Sequence, residues 1–115
     1  MQTVAKNCSF LNEKRQITVN KYMPNSEDVK KISAFFSAFA DETRIRIISA
    51  LSLSKMCVGD LCVTLDINQT TLSHQLSLLK RLQVVDDERQ GKSVFYKIKD
   101  GKILSILAFG VQLID

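Results

Sequence analysis

Three thiols, one imidazole and a short run of hydroxyl and amide side chains are the groups in this 115-residue chain that could do chemistry. The thiols are Cys8, Cys57 and Cys62; the polar run is Gln69, Thr70, Thr71, Ser73, His74, Gln75 and Ser77. Cys57 and Asp60 stand three residues apart, a spacing that puts two helical side chains on one face, one turn apart. A thiolate and a carboxylate so placed are half a site for a divalent cation such as zinc, with bonds of ~2.3 Å to sulfur and ~2.1 Å to oxygen. The rest must come from elsewhere, and Cys8 in the N-terminal stretch is the candidate. Cys62, five residues from Cys57, lies roughly 140° around a helix and off that face. Its plainer reading is a small buried hydrophobe. For Cys57 and Asp60 the plainer reading is a buried thiol beside a surface carboxylate. One histidine, no clustered carboxylates and no Gly-rich phosphate loop speak against an enzyme.

The polar run must sit on a helix that buries its other face. Leu72, Leu76 and Leu79 recur at helical spacing, and Asn68 offers an N-cap for a helix over about 69–82. With Leu72 inward, Leu76 lies about 40° away and His74 about 200° away at ~100° per residue. The polar run then fills the outer and flanking faces. Gln pairs with adenine edges, Thr and Ser with bases or phosphates, and His with either. Lys80 and Arg81 at the helix end suit phosphates. A strand at Val84-Val85, the acidic Asp86-Asp87-Glu88, a turn at Gln90-Gly91-Lys92 and an alternating strand Val94–Ile98 follow. Arg89 and Lys92 flank Gly91 at the tip. Any amphipathic helix has a polar face, and a charged hairpin is often only solvated surface. The order short helix, polar helix, hairpin is much rarer by chance. It predicts a mainly α chain with a small β-hairpin, an α+β winged helix-turn-helix.

The remaining elements are helical. Residues 1–24 read as an N-terminal arm with at most a helical piece, and residues 25–115 as the DNA-binding and dimerisation domain. Asn25 and Ser26 can cap a helix carrying Ile32, Phe35, Phe36 and Phe39 on one stripe. Asp41 caps the next, with Ile45, Ile48 and Leu51 repeating and Arg44 and Arg46 on other faces. Val58, Leu61 and Leu65 mark a short helix ending near Asp66. The helix over about 101–114 is so apolar that a small domain cannot cover it, which predicts a homodimer interface.

The net charge of +4 permits nucleic acid as a partner without requiring it. No run approaches the ~18 apolar residues of a membrane span, and the N-terminus lacks the apolar core of a secretory signal. A cytoplasmic protein is expected, one in which three cysteines are not structural disulfides.

From Phe36 to Asp100 the chain resembles the ArsR/SmtB family of metal-responsive bacterial repressors. The phrases FADETRIRII, MCVGDLC, TTLSHQLSLLKRLQVV and GKSVFYKIKD carry the resemblance. It implies a homodimer bound to an inverted-repeat operator on double-stranded DNA and released by an inducer. Residues 69–77 would then read the major groove, with Arg89 and Lys92 on the wing. The family's zinc and cadmium/lead sensors join the arm of one subunit to the CVGD or CVC segment of the other, which matches Cys8, Cys57 and Asp60. This chain departs twice from that pattern: Asn12 stands where a second arm ligand is expected, and Gly59 where CVC members have cysteine. Three ligands remain, with water, Glu13 or Cys62 in the fourth position. A thiolate-rich set favours cadmium, lead or arsenite over zinc as inducer. Some arsenic-sensing members carry a cysteine at the place of Cys62. The family's histidine-based site is excluded, because Asp100 matches its first ligand but Lys102 replaces a histidine. Two other readings stay open: cysteines acting as a thiol redox or persulfide switch, and a winged-helix interaction module with no DNA role.

Overall fold

The computed structural model describes residues 8–115, which divide into two compact units, one ending at Lys30 and the other Lys31–Asp115. The first holds α1 (Glu13–Tyr22) and the start of α2 (Ser26–Ser37). α1 begins because Asn12 Oδ1 accepts the Arg15 N–H at 2.8 Å, and it has no buried residue. Asn25 caps α2 through the Asp28 N–H at 2.8 Å, which makes Ser26 the first helical residue rather than the cap.

The second unit continues through α3 (Glu42–Leu53), β1 (Met56–Cys57), α4 (Val58–Leu65), α5 (Gln69–Arg81), β2 (Val85–Gln90), β3 (Ser93–Ile98) and α6 (Lys102–Ile114). Asp41 caps α3 as its position suggests, accepting the Arg44 N–H at 3.0 Å. The turn between α4 and α5 is made by Asp66 in the left-handed region, φ 52°, where Asp is among the few side chains tolerated. Asn68 then starts α5 by accepting the Thr71 N–H at 2.8 Å. α5 ends in a Schellman closure: Gln83 has φ 67°, and the N–H groups of Gln83 and Val84 return to the carbonyls of Lys80 and Leu79. This closure delivers the chain into β2 with Val84 and Val85 buried.

β2 and β3 form an antiparallel hairpin in the register Val85↔Ile98 to Gln90↔Ser93. Gly91 takes φ 62° at its tip, a conformation that favours glycine. β1 adds to the other edge of β3 through Met56↔Tyr96 and Cys57↔Phe95, giving the order β1-β3-β2. The sheet is therefore three-stranded, where the sequence indicated a hairpin alone.

The core joins α3, α4, α5, the sheet and the start of α6. Ile47, Ile48, Leu61, Leu72, Leu76, Leu79, Val84 and Val85 are fully buried. Two expected stripes are corrected here. α3 packs against both α4 and β3, so it buries Ile47, Ile48, Ala50 and Leu51 and leaves Ile45 only half-buried. The stripe over Ile32–Phe39 is divided, because α2 ends at Ser37. Phe35 and Phe39 pack on the core, while Ile32 and Phe36 are exposed. Truncating Leu76 to Ala should cost about 2–5 kcal/mol in urea unfolding, whereas Leu53→Ala, at a side chain 87% exposed, should stay within about 0.5 kcal/mol.

Candidate nucleic-acid interface and thiol site

α5 is oriented by its apolar face. Leu72, Leu76 and Leu79 have no exposed surface, so the opposite face is turned outward by necessity. Gln69, Thr70, Ser73, His74 and Ser77 share one shallow outer groove, all exposed. Thr71 is exposed, with its backbone N–H capped by Asn68. The face can donate and accept hydrogen bonds through short side chains, as contact with base edges requires. Gln75 is placed differently: it is half-buried, and its Oε1 accepts from Arg44 Nη1 at 3.4 Å.

The basic groups sort into paired and unpaired. Lys80 on α5 donates to Asp87 on β2 at 2.9 Å. That hydrogen bond is the first cause holding the Asp87 carboxyl below its ordinary 3.8 and the Lys80 ammonium above its ordinary 10.5. Lys55 lies 3.5 Å from Glu88 and over the Phe95 ring. Arg89 and Lys92 are exposed at the hairpin tip. Two of the acids before the tip, Asp87 and Glu88, are thus each met by a lysine from outside the hairpin. Arg46, a surface cation by its sequence position, donates instead to the Leu65 carbonyl at 2.7 Å and braces the end of α4.

Cys57 stands just outside the helix whose first turn carries Asp60. It ends β1 and is the N-cap of α4, with φ −79° and ψ 169°, and Asp60 lies in the first turn. The Cys57 side chain makes no capping hydrogen bond. A Cβ added at Gly59 would lie 3.9 Å from Cys57 Sγ and meet nothing closer. The missing cysteine of a CVC segment would thus stand beside Cys57 in open space. Cys62 is half-buried against the core. Cys8 is exposed. Asn12, at the place of a second arm ligand, is occupied in capping α1. Asp100 Oδ1 accepts the Lys102 N–H at 2.9 Å and so closes the start of α6. Among the described residues no three His, Cys, Asp or Glu side chains converge as metal ligands would. No helix among them is long and apolar enough to cross a membrane.

A helix presenting short polar side chains, held by a second helix across a tight turn and flanked by a basic-tipped hairpin, defines a winged helix-turn-helix DNA-binding protein. The comparisons narrow the class. Residues 41–87 match the family described as bacterial regulatory protein, arsR family. Over 86 residues the chain is 41% identical to the cadmium resistance transcriptional regulatory protein CadC of Listeria innocua, covering 74% of this chain and 72% of the relative. Over 81 residues it is 40% identical to the arsenical resistance operon repressor of Escherichia coli, covering 70% and 66%. The crystal structure of Rv0081 from M. tuberculosis matches with a TM-score of 0.73 at 30% identity, over 78% of this chain and 91% of that one. The chain belongs to the ArsR family of bacterial transcriptional repressors. These relatives are regulators, not enzymes.

Asp87→Asn should free the Lys80 ammonium and remove a carboxylate near the bound backbone. DNA affinity should rise, and the slope of log affinity against log salt should steepen by about one unit. An unchanged slope in a fluorescence-anisotropy titration would show that Lys80 does not reach a phosphate. The same pair sets a pH signature. A depressed carboxyl contributes stability above its ordinary 3.8 and loses it as pH falls through the lower folded value. A raised ammonium contributes below 10.5 and loses it as pH rises through the higher folded value. Both contributions are therefore intact at neutral pH. In an NMR titration the Asp87 carboxyl should have its midpoint below 3.8, and Lys80→Gln should move it back up.

Proposed function

We propose that this protein is a metal-responsive repressor that binds an inverted-repeat operator as a homodimer and releases it when a thiophilic cation binds. The observation that carries the reading is the outward polar face of α5 beside a thiol and a carboxylate at the start of α4, two elements in direct packing contact. Gln69, Thr70, Ser73, His74 and Ser77 read the groove, and Arg89 and Lys92 meet the backbone beside it. Thr71 and Lys80 lie at the margin of that surface.

Dimerisation is supported by α6. Phe109, Val111, Leu113 and Ile114 are exposed on it, and an apolar groove runs between Phe39, Ile45 and the α6 residues Leu107, Gly110 and Val111. A second copy of α6 would cover this surface, placing two α5 helices on a two-fold DNA site.

The inducer site draws on Cys57 and Asp60, with Cys8 of the partner subunit as third ligand. The donor set fits a soft cation: the Cys57 thiol has no competing cap bond, and Cys8 is exposed. Cadmium, lead or arsenite suits this set better than zinc. When bound, the cation supplies a cross-link between arm and α4. A cation that binds the DNA-free arrangement better must weaken DNA binding by the same factor. The cadmium and arsenical resistance roles named for the two relatives support a soft inducer.

Metal competition among zinc, cadmium, lead and arsenite, read as release of operator DNA, tests this proposal. Cys57→Ser should keep its DNA affinity, lose the thiolate-to-metal absorption and need at least about 100-fold more cadmium for release. Full release of DNA from Cys57→Ser at wild-type cadmium levels would sink the thiol site. DNA binding indifferent to salt would sink the repressor reading as a whole.

A further inference from the structure

Arg44 makes side-chain bonds that neither capping nor DNA contact explains. Its side chain is only 17% exposed. Nη2 donates to the Ser37 carbonyl at the end of α2 at 3.0 Å, and Nη1 donates to Gln75 Oε1 on α5 at 3.4 Å. The Asp41 carboxylate is 4.0 Å away, and Nε is buried without a partner. A guanidinium has donors and no acceptor, so the Gln75 amide must turn its oxygen toward Arg44. Gln75 lies roughly 170° around α5 from the centre of the face formed by residues 69, 70, 73, 74 and 77, at ~100° per residue. It faces α3 rather than the groove.

We propose that Arg44 and Gln75 are positioning residues for DNA recognition. They tie α5 to the corner between α2 and α3 and fix its rotation without touching DNA, a role that rests on the DNA-binding reading above. Leu72, Leu76 and Leu79 hold α5 down, but apolar contact is non-directional and leaves rotation about the helix axis soft. A guanidinium with one N–H buried and unpaired is a costly way to add stability. What it adds is direction: two hydrogen bonds on a rigid fork, one to each neighbouring element. A small turn of α5 would move the tips of Ser73 and His74 off their base edges while leaving the backbone contacts of the hairpin intact.

The tie therefore governs selectivity more than affinity. The test uses the whole protein, a duplex selected by it from a random pool, and a random-sequence duplex, with affinities from anisotropy. Arg44→Met and Gln75→Met should each weaken binding to the selected duplex by about tenfold and leave the random duplex nearly unchanged. The double variant should be no worse than either single one. Gln75→Glu keeps an acceptor for Arg44, so it should retain the wild-type ratio between the two duplexes even if its charge weakens both. Parallel losses on both duplexes would overturn the proposal, and so would Gln75→Glu losing selectivity as Gln75→Met does. Should Arg44→Met fail to fold, the Met and Glu variants at Gln75 decide alone. If the wild-type protein selects no duplex from the pool, the recognition reading fails first and takes the tie with it.

Discussion

Every other feature of the second unit depends on the burial of one face of α5. Leu72, Leu76 and Leu79 are fully enclosed by Ile47, Ile48, Leu61 and the Val84-Val85 pair of the same core. Burying three leucines stabilises the domain by roughly 5–9 kcal/mol before chain entropy is counted, comparable to the whole net stability of a small domain. The helix cannot roll over without losing that sum, so its polar residues stay outward. The Schellman closure after Arg81 carries the same constraint into the hairpin, because Val84 is both its last residue and a core residue.

That constraint is also why α5 was legible in the sequence. Three leucines at helical spacing, an Asn cap and a basic end identify the helix, and the caps at Asn25, Asp41 and Asn68 were readable for the same local reason. What was not legible depends on neighbours. β1 is two residues long and has no alternation of its own; it exists because β3 offers an unpaired edge to Met56 and Cys57. With β1 formed, Cys57 becomes the last strand residue and the cap of α4. The pairing of Arg44 with Gln75 joins residues 31 apart in the chain, which no periodicity reports. The burial of Ile47 in place of Ile45 has the same origin, since α3 answers to two neighbours and a single stripe answers to one.

The proposed thiol site rests on residue types, because no three ligand side chains converge among the described residues. Cys57 and Asp60 lie at one helix start and Cys8 on the arm, and the chemistry proposed for them needs a second chain. Such a division suits a sensor. A site complete within one chain could bind its cation equally well with or without DNA and would shift nothing. A site completed across two chains depends on their spacing, which is the variable an operator also fixes.

Charge tells a parallel story. A net charge of +4 is weak evidence for DNA binding when taken over the whole chain. Locally the distribution is far from even. Asp87 is answered by Lys80, Glu88 by Lys55, and Asp86 stands across from Lys97 in the hairpin register. Arg89 and Lys92 are exposed at the tip, and Arg89 also adds to the positive field that holds the Asp87 carboxyl low. Exposed pairs of this kind contribute little to stability. Their effect is on the field a phosphate meets: within a Debye length of about 8 Å at physiological salt, the hairpin tip is positive although the strand leading to it is acidic. Asp87 and Glu88 are each met by a lysine from outside the hairpin, which weakens the negative field that the acidic strand would otherwise set beside its basic tip.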